Sequence, residues 1–354
     1  MSQTRIASQR LAQQRLSENP FATAEEVVEW LGAVQSQDYP GAKWSLGMRM
    51  RSATDDIIDE AFNAGKILRT HVMRPTWHFV TPADIRWIVE LTAPRVKMLN
   101  AYMNRKLELD ESLFARANEA MSRALEGGKF LTRAELADAL AQVGINADGQ
   151  RLAYIVHRAE LDAVICSGPR RGKQFTYALI AERAPQAKVL ARDEALAELV
   201  RRYFTSHGPA TLKDFSWWSG LTLADAKAGT EMADSSLAHE DIDGQTYWFS
   251  PSINPAPESS QQAYLLPTYD EYVIGYAAYD RGRMAGVQEG NDFLFDSTIV
   301  IGGNIVGTWR RIFKGKSAVI ELAPFAPLTD KQMELVNSAA QRFSEFLKMP
   351  VTFS

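Results

Sequence analysis

The stretch KILRTHVMRPTWHFVT, residues 66–81, decides the fold. Runs rich in β-branched and aromatic residues flank Arg74 and Pro75 and read as strand, turn and strand, since Pro75 is too disruptive to sit inside a central strand. The residues before it carry a different period. Apolar positions recur at helical spacing over residues 4–16, over 24–34 (Val27, Val28, Leu31 and Val34 on one face) and over 55–63. Thr23 and Thr54 precede acids in the manner of N-caps. Helices followed by a hairpin are the outline of a winged helix-turn-helix. A hairpin turning at Arg74 and Pro75 sets His71 opposite His78.

The same outline recurs twice. GKFLTRAELADALAQVG and QRLAYIVHRAELDAV read as two helices, followed by VICSGPRRGKQFTYALI, two strands joined by a basic, Gly/Pro-rich tip. After the linker-like AERAPQAK come HGPATLKDFSWWSGL, TLADAKAGTEMA and SLAHEDIDGQTYWFS in the same order. Thr132 aligns with Thr211, Leu136 with Phe215, and residues 175–177 with 247–249. Identity is weak, so order and spacing carry the repeat. INPAPESSQQ then closes the helical region. Beyond it AYLLPTYDEYVIGY, FDSTIVIGGNIVGTWRRIF and SAVIELAPF read as strands, and TDKQMELVNSAAQRFSEFL as a closing helix. The expected architecture is α+β: winged helices at 1–97, 98–187 and 188–255, followed by a small β-rich, barrel-like C-terminal domain at 256–354.

Composition narrows the class. The 354 residues, 46% hydrophobic and 23% charged, are those of an ordinary globular protein with a sizeable core. One cysteine, Cys166, leaves no intramolecular disulfide and no cysteine-built zinc site, and is expected in the core. No run of about 18 apolar residues and no signal-peptide h-region occurs, so the protein is expected in the cytoplasm and off the membrane. A net charge of -4 is unusual for a dedicated nucleic-acid binder and makes local charge decisive. Basic residues do cluster: Lys43, Arg49 and Arg51 in one segment, and Arg170, Arg171 and Lys173 at the second wing tip, both without intervening acids. DNA phosphates are expected there, and not at the third wing, where Glu240, Asp241 and Asp243 gather.

Several enzyme readings fail on spacing. GPRRGKQ is one residue short of a P-loop and has Gln174 where a magnesium-binding Ser or Thr belongs. There is no H-E-x-x-H and no G-x-S-x-G. His71 and His78 alone do not complete a zinc site, so neither metal nor cofactor is expected.

VQSQDYPGAKWSLGMR, residues 34–49, holds a different chemistry. In extended backbone Gln35 and Gln37 point the same way, so Q-x-Q delivers two amides to one spot. An amide takes no proton from water near neutral pH, but its carbonyl accepts hydrogen bonds and its NH2 donates them. Such a pair can hold a water and steady positive charge. The bland alternative is that both amides bond the loop backbone.

Taken together, GAVQSQDYPGAKWSLGMR, LRTHVMRPTWHFVTPADI and LLPTYDEYVIGYAAYDR, with the three winged-helix outlines, resemble the AlkZ/YcaQ family of winged-helix DNA glycosylases. The resemblance spans nearly the whole chain and implies winged helices and a β-rich domain around a DNA channel. It also implies a catalytic Q-x-Q or Q-x-D pair, here the AlkZ-like Q-x-Q form at Gln35 and Gln37. The amides then fit their task. N7-alkylation makes guanine a cationic leaving group that needs no general acid, and the transition state is an oxocarbenium-like deoxyribose. Asp38, His71, Arg74, Trp77 and His78 are candidates for the pocket, Asp38 as an assisting base or a helix cap and Trp77 as a stacking surface. Tyr269, Asp270 and Glu271 belong to the resemblance without a specific task; domain packing is expected of the acid pair.

The reading is a monomeric, cofactor-independent glycosylase acting on double-stranded DNA, nucleoid-associated, that releases cationic alkylated purines, including bulky adducts or crosslinks. The alternatives are a non-catalytic winged-helix DNA-binding protein such as a transcription regulator, and a scaffold whose winged helices bind protein.

Overall fold

The computed structural model describes residues 3–233, 236–251, 262–277 and 295–354. It is a mixed α+β structure that divides into two compact units, each made of non-consecutive segments. One comprises Met1–Asp59, Ala197–Trp218 and Thr222–Ser354; the other, Glu60–Leu196 and Ser219–Leu221.

In the first unit, helix Ala24–Leu31 starts at a capping box between Thr23 and Glu26 and buries Ala24, Val27, Val28 and Leu31 on one stripe. The periodicity that predicts a helix to residue 34 stops at Gly32, whose φ of 83° is open to glycine without steric cost. Val34 therefore enters the short strand Val34–Gln35. Helix Tyr39–Gly47 follows at once, with Pro40 in its first turn, where a missing N–H costs nothing.

Five strands form the main sheet of this unit, in the order Val351–Phe353, Ser317–Pro324, Asn304–Lys314, Ser297–Ile301, Ala263–Leu266. All pairings are antiparallel except the outermost, Ser317–Pro324 with Val351–Phe353. Helix Asp330–Leu347, capped by Thr329 and Gln332, buries Val336, Ala339, Ala340, Phe343 and Phe346. Two tryptophans tie the pieces together. Trp44, from helix Tyr39–Gly47, lies 5.1 Å from both Phe343 and Phe346 and donates its indole N–H to the Leu265 carbonyl at 2.8 Å. Trp309 reaches Phe343 at 5.5 Å and donates to the Leu266 carbonyl at 2.8 Å. Truncating either to Ala costs about 3–5 kcal/mol, so the helix that follows the glutamine pair is firmly anchored. Residues 263–276, expected to be strand throughout, are strand only over Ala263–Leu266; Asp270 then caps the short helix Glu271–Ile274 by accepting the Tyr272 N–H at 2.9 Å. The hairpin Ala238–Ile242 and Gln245–Phe249 turns at Asp243-Gly244, both at positive φ, as a two-residue hairpin turn requires. A bridge joins Ala210 to Trp248.

The second unit holds the hairpin Leu68–Val72 and Thr76–Val80. Its loop has three residues, because Met73 adopts a left-handed φ of 62° ahead of Arg74 and Pro75. One extra loop residue shifts the register by one and changes every facing pair. His71 stands opposite Trp77, and Thr70 opposite His78, so the two histidines lie on opposite faces instead of facing each other. Helix Ile85–Lys106 runs on through residue 97, where a segment boundary was expected. Helices Glu111–Leu125, Arg133–Gln142 and Gly149–Leu161 pack Phe114, Met121, Leu136, Leu140 and Ile155 into one apolar cluster. Beside them lies a three-stranded sheet in the order Leu131–Thr132, Thr176–Leu179, Ile165–Ser167. Cys166 is buried there as expected, and burial pushes its thiol pKa up, away from reactivity. The expected boundary at 255/256 falls outside the described residues.

Candidate active site

Gln35 ends its strand and is buried, 6% exposed, whereas Gln37 lies at a bend two residues on and is exposed. Strand alternation holds only as far as Gln35, so the bend sets the orientation of Gln37. Asp38 occupies the N-cap position of helix Tyr39–Gly47 without capping it. Its carboxylate instead accepts Arg311 Nη2 at 3.0 Å. Gly41 permits this approach, since a Cβ there would stand 2.5 Å from Asp38 Oδ2. The pair sits in a cleft of about 650 Å³ lined by Thr268, Ser297, Trp309 and Glu321 among others.

The backbone of the glutamine segment rests on a buried polar network. Glu271, without solvent exposure, accepts the Gln35 N–H at 2.8 Å on Oε1 and the Trp218 indole N–H at 2.9 Å on Oε2. His207 Nε2 is 3.5 Å from the same Oε2, and Gly275 lets it approach, because a Cβ at 275 would meet the His207 ring at 2.7 Å. Burial holds the His207 pKa below the ordinary imidazole value against the opposing pull of Glu271. Asp270 is equally buried and bonds Arg49 and Ser45. Burial opposes its charge, yet the Arg49 guanidinium, Ser45 and the Tyr272 N–H together bring its carboxyl below the usual range. Gln14 links the two acids, donating to the Glu271 carbonyl at 3.1 Å and accepting Arg49 Nη2 at 2.9 Å. The acid pair after Pro267 is legible in the sequence; its partners Gln35, 236 residues from Glu271, and Arg49, 221 residues from Asp270, are not.

Two residues expected on phosphates lie inside. Arg49 is wholly buried, and its guanidinium bonds Asp270, Gln14 and Ser45, which leaves it no surface to offer DNA. Lys43 is 4% exposed and held between Asp55 at 2.6 Å and Asp59 at 2.7 Å, so its charge is neutralised at the root of helix Asp55–Asn63. Acids twelve and sixteen residues downstream found it, beyond the segment that reads as basic. Arg51 alone of that cluster is exposed.

The other candidates belong to the second unit. His71 Nδ1 is 2.5 Å from the buried Glu160, and its ring lies 4.3 Å from Trp77 and 4.2 Å from His157. Arg69 stacks over Trp77 at 4.3 Å. Trp77 is thus half-buried among protein partners. His78 is fully buried on the opposite face, and Arg74 is half-buried in the turn. At the wing tip Arg171 pairs with Glu135 at 2.7 Å, an acid the local sequence does not show, and Glu135 is lowered to about 2 by the Thr132 N–H and by Arg171. Arg170 is half-buried over Phe175, while Lys173 is exposed. Among the described residues no group of three or more His, Cys, Asp or Glu is placed to hold a metal ion, and no helix is long and apolar enough to cross a membrane.

Comparison with known proteins bears on this arrangement. The Interstrand DNA cross-link repair glycosylase of Streptomyces sahachiroi is 24% identical over 363 residues, 97% of this chain and 96% of the relative. The solved structure of Streptomyces sahachiroi DNA glycosylase AlkZ matches over 100% of both chains with a TM-score of 0.79 at 20% identity, which establishes a shared fold. A family model described as DNA glycosylase AlkZ-like matches residues 28–346, from the helix before the glutamine pair to the last helix of the C-terminal sheet. The chain belongs to the AlkZ-like DNA glycosylase family.

Proposed function

We propose that this DNA glycosylase hydrolyses the N-glycosidic bond of cationic alkylated purines, N7-alkylguanine above all, with Gln35 and Gln37 as the reacting pair. The observation that carries the reading is the pairing of an exposed amide, Gln37, with a preceding residue whose backbone is fixed by a buried carboxylate. An exposed polar side chain on such a well-held base is expected of a site, and costs more than a simple loop needs.

The chemistry asks little acid or base. The C1′–N9 bond breaks with its electron pair going to N9, which neutralises the alkylated base and leaves an oxocarbenium sugar. Water then adds to C1′ and releases one proton to solvent. Amide carbonyls accept hydrogen bonds from the water and turn their negative ends toward the cationic sugar. Asp38, already committed to Arg311, serves the local structure. The crosslink-repair name of the relative favours bulky N7 adducts among the substrates.

The duplex is held by winged helices in this reading. Three segments each carry helices followed by a hairpin: the first with hairpin 68–80, the second with the sheet of residues 131–132, 165–167 and 176–179, the third with hairpin 238–249. Residues 256–354 supply the β-rich C-terminal part. Arg51, Arg170, Arg171 and Lys173 meet phosphates, and the protein acts as a monomer near the nucleoid. The test is base release from a panel of alkylated duplexes by the wild-type protein and Gln37→Ala. Loss of N7-methylguanine release in the variant, with duplex binding intact, is the expected result. A fully active variant removes the assignment, and binding without release by the wild-type protein favours a non-catalytic DNA-binding role.

A further inference from the structure

Glu271 presents its two carboxylate oxygens to two different N–H donors. Oε1 takes the Gln35 peptide at 2.8 Å and Oε2 the Trp218 indole at 2.9 Å, in a place without solvent. A neutral amide of the same shape has one accepting and one donating end, so between two N–H groups it must set donor against donor. Only a carboxylate bridges both. Burying that charge is costly, and the cost is offset here by the two buried N–H donors that an apolar side chain would leave unpaired. The bridge also fixes the peptide of Gln35 against Trp218, which is itself packed 5.0 Å from Tyr203. The Glu271 carbonyl is held in turn by Gln14 at 3.1 Å and by Gly275 N–H at 2.9 Å, so the acid cannot drift with the strand it holds.

We propose that Glu271 is a positioning residue of the glycosylase: its two-ended bridge between Trp218 and the Gln35 peptide sets where the Gln35 and Gln37 carbonyls stand relative to water and sugar. The inference rests on the reading of that amide pair as the reacting site. Glu271 itself touches neither water nor DNA in this role.

The experiment compares wild-type protein, Gln37→Ala, Glu271→Gln and the double variant Glu271→Gln with Trp218→Phe. Each is assayed for single-turnover release from a duplex holding one N7-methylguanine, for duplex Kd and for Tm. Glu271→Gln is expected to slow release about 100-fold, the scale of a roughly 1 Å misplacement, with Kd unchanged. In the double variant the second donor is gone, the amide oxygen is free to face the Gln35 N–H, and about tenfold of the loss returns. Recovery on removing a further core group is not what a merely structural role gives. Wild-type release by Glu271→Gln overturns the proposal alone, as does a double variant no faster than the single one. A fully active Gln37→Ala, or a wild-type protein that releases no base, overturns the reading beneath it.

Discussion

Arg49 and Asp270 meet with no solvent access to either, Nη1 to Oδ2 at 2.9 Å and Nη2 to Oδ1 at 3.0 Å. The two-bond fork joins the turn that follows helix Tyr39–Gly47 to the cap of helix Glu271–Ile274, and the remaining guanidinium donors bond Gln14 and Ser45. A desolvated guanidinium with every donor used is stable only while its carboxylate remains. Asp270→Ala should therefore lower unfolding free energy by about 3–5 kcal/mol. Asp38→Ala, which breaks the part-exposed pair with Arg311, should cost at most about 1 kcal/mol. Urea midpoints at constant m distinguish the two. Equal midpoints would mean that Arg49 finds another partner.

The same pair has a pH signature. The folded-state pKa of Asp270 lies below its ordinary 3.8, so its contribution is present above that value and lost as pH falls through the lower folded one. Asp270→Asn should flatten the stability profile below pH 3.8. His157 acts over a higher range. Burial, with the neighbouring His71, lowers it from 6.5 to about 3. Between those values the unfolded chain binds a proton that the native state refuses, so stability drops as pH falls, by up to about 1.4 kcal/mol per pH unit for one such site. His157→Phe should remove that slope between pH 6 and 4. A slope unchanged in the variant would show that the imidazole is protonated in the folded protein.

Charge on the surface and charge in the interior predict different salt dependence. Lys43 is held by Asp55 and Asp59, so Lys43→Met should leave the salt slope of duplex binding unchanged. Arg51→Ala should reduce the slope by about 0.9, one phosphate contact. Replacing Arg170, Arg171 and Lys173 together should reduce it by up to about 3. Arg171 first has to leave Glu135, but an exposed pair of that kind holds weakly. Fluorescence anisotropy over a salt series reads all three. A flat response to the triple replacement would place that wing away from DNA.

Local chemistry was legible in the sequence; partners far along the chain were not. The Thr23 cap, the Asp243-Gly244 turn and the stripe on helix Asp330–Leu347 all follow from patterns within a few residues. So did the mixed α+β class and the family, through three ordered motifs. The register of hairpin 68–80 failed because one residue, Met73, adopts a left-handed φ that no propensity announces, and that exchanged the neighbours of His71 and His78. Helix Tyr39–Gly47 was hidden by Pro40 and two glycines, although proline in a first turn is a start signal and Gly41 is the space Asp38 needs. The basic residues Lys43 and Arg49 read as a phosphate grip because composition shows charge and not what answers it. Acids at 55, 59 and 270 do so here. Glu271 lacked a task for the same reason, since its partners Gln35 and Trp218 are 236 and 53 residues away.

Substrate range follows from what an amide cannot do. With Gln35 and Gln37 as the proposed reacting pair, two amides would hold water and face positive charge but transfer no proton, so the leaving group must depart by itself. A cationic N7-alkylguanine leaves neutral; uracil, 8-oxoguanine and 1,N6-ethenoadenine would leave as anions or need an acid. The protein should release N7-methylguanine, and N3-methyladenine for the same reason, while leaving neutral lesions intact over the same time course. Gln37→Asp adds a carboxylate that opposes the sugar's positive charge and activates water, so it should keep measurable release where Gln37→Ala has none. Because Gln37 is exposed, that carboxylate carries little burial penalty and the fold should tolerate it. The decisive measurement is the ratio of N7-methylguanine to uracil release by the wild-type protein. Efficient uracil release would require a proton donor near the pair, and the account of two amides acting on charge alone would fall.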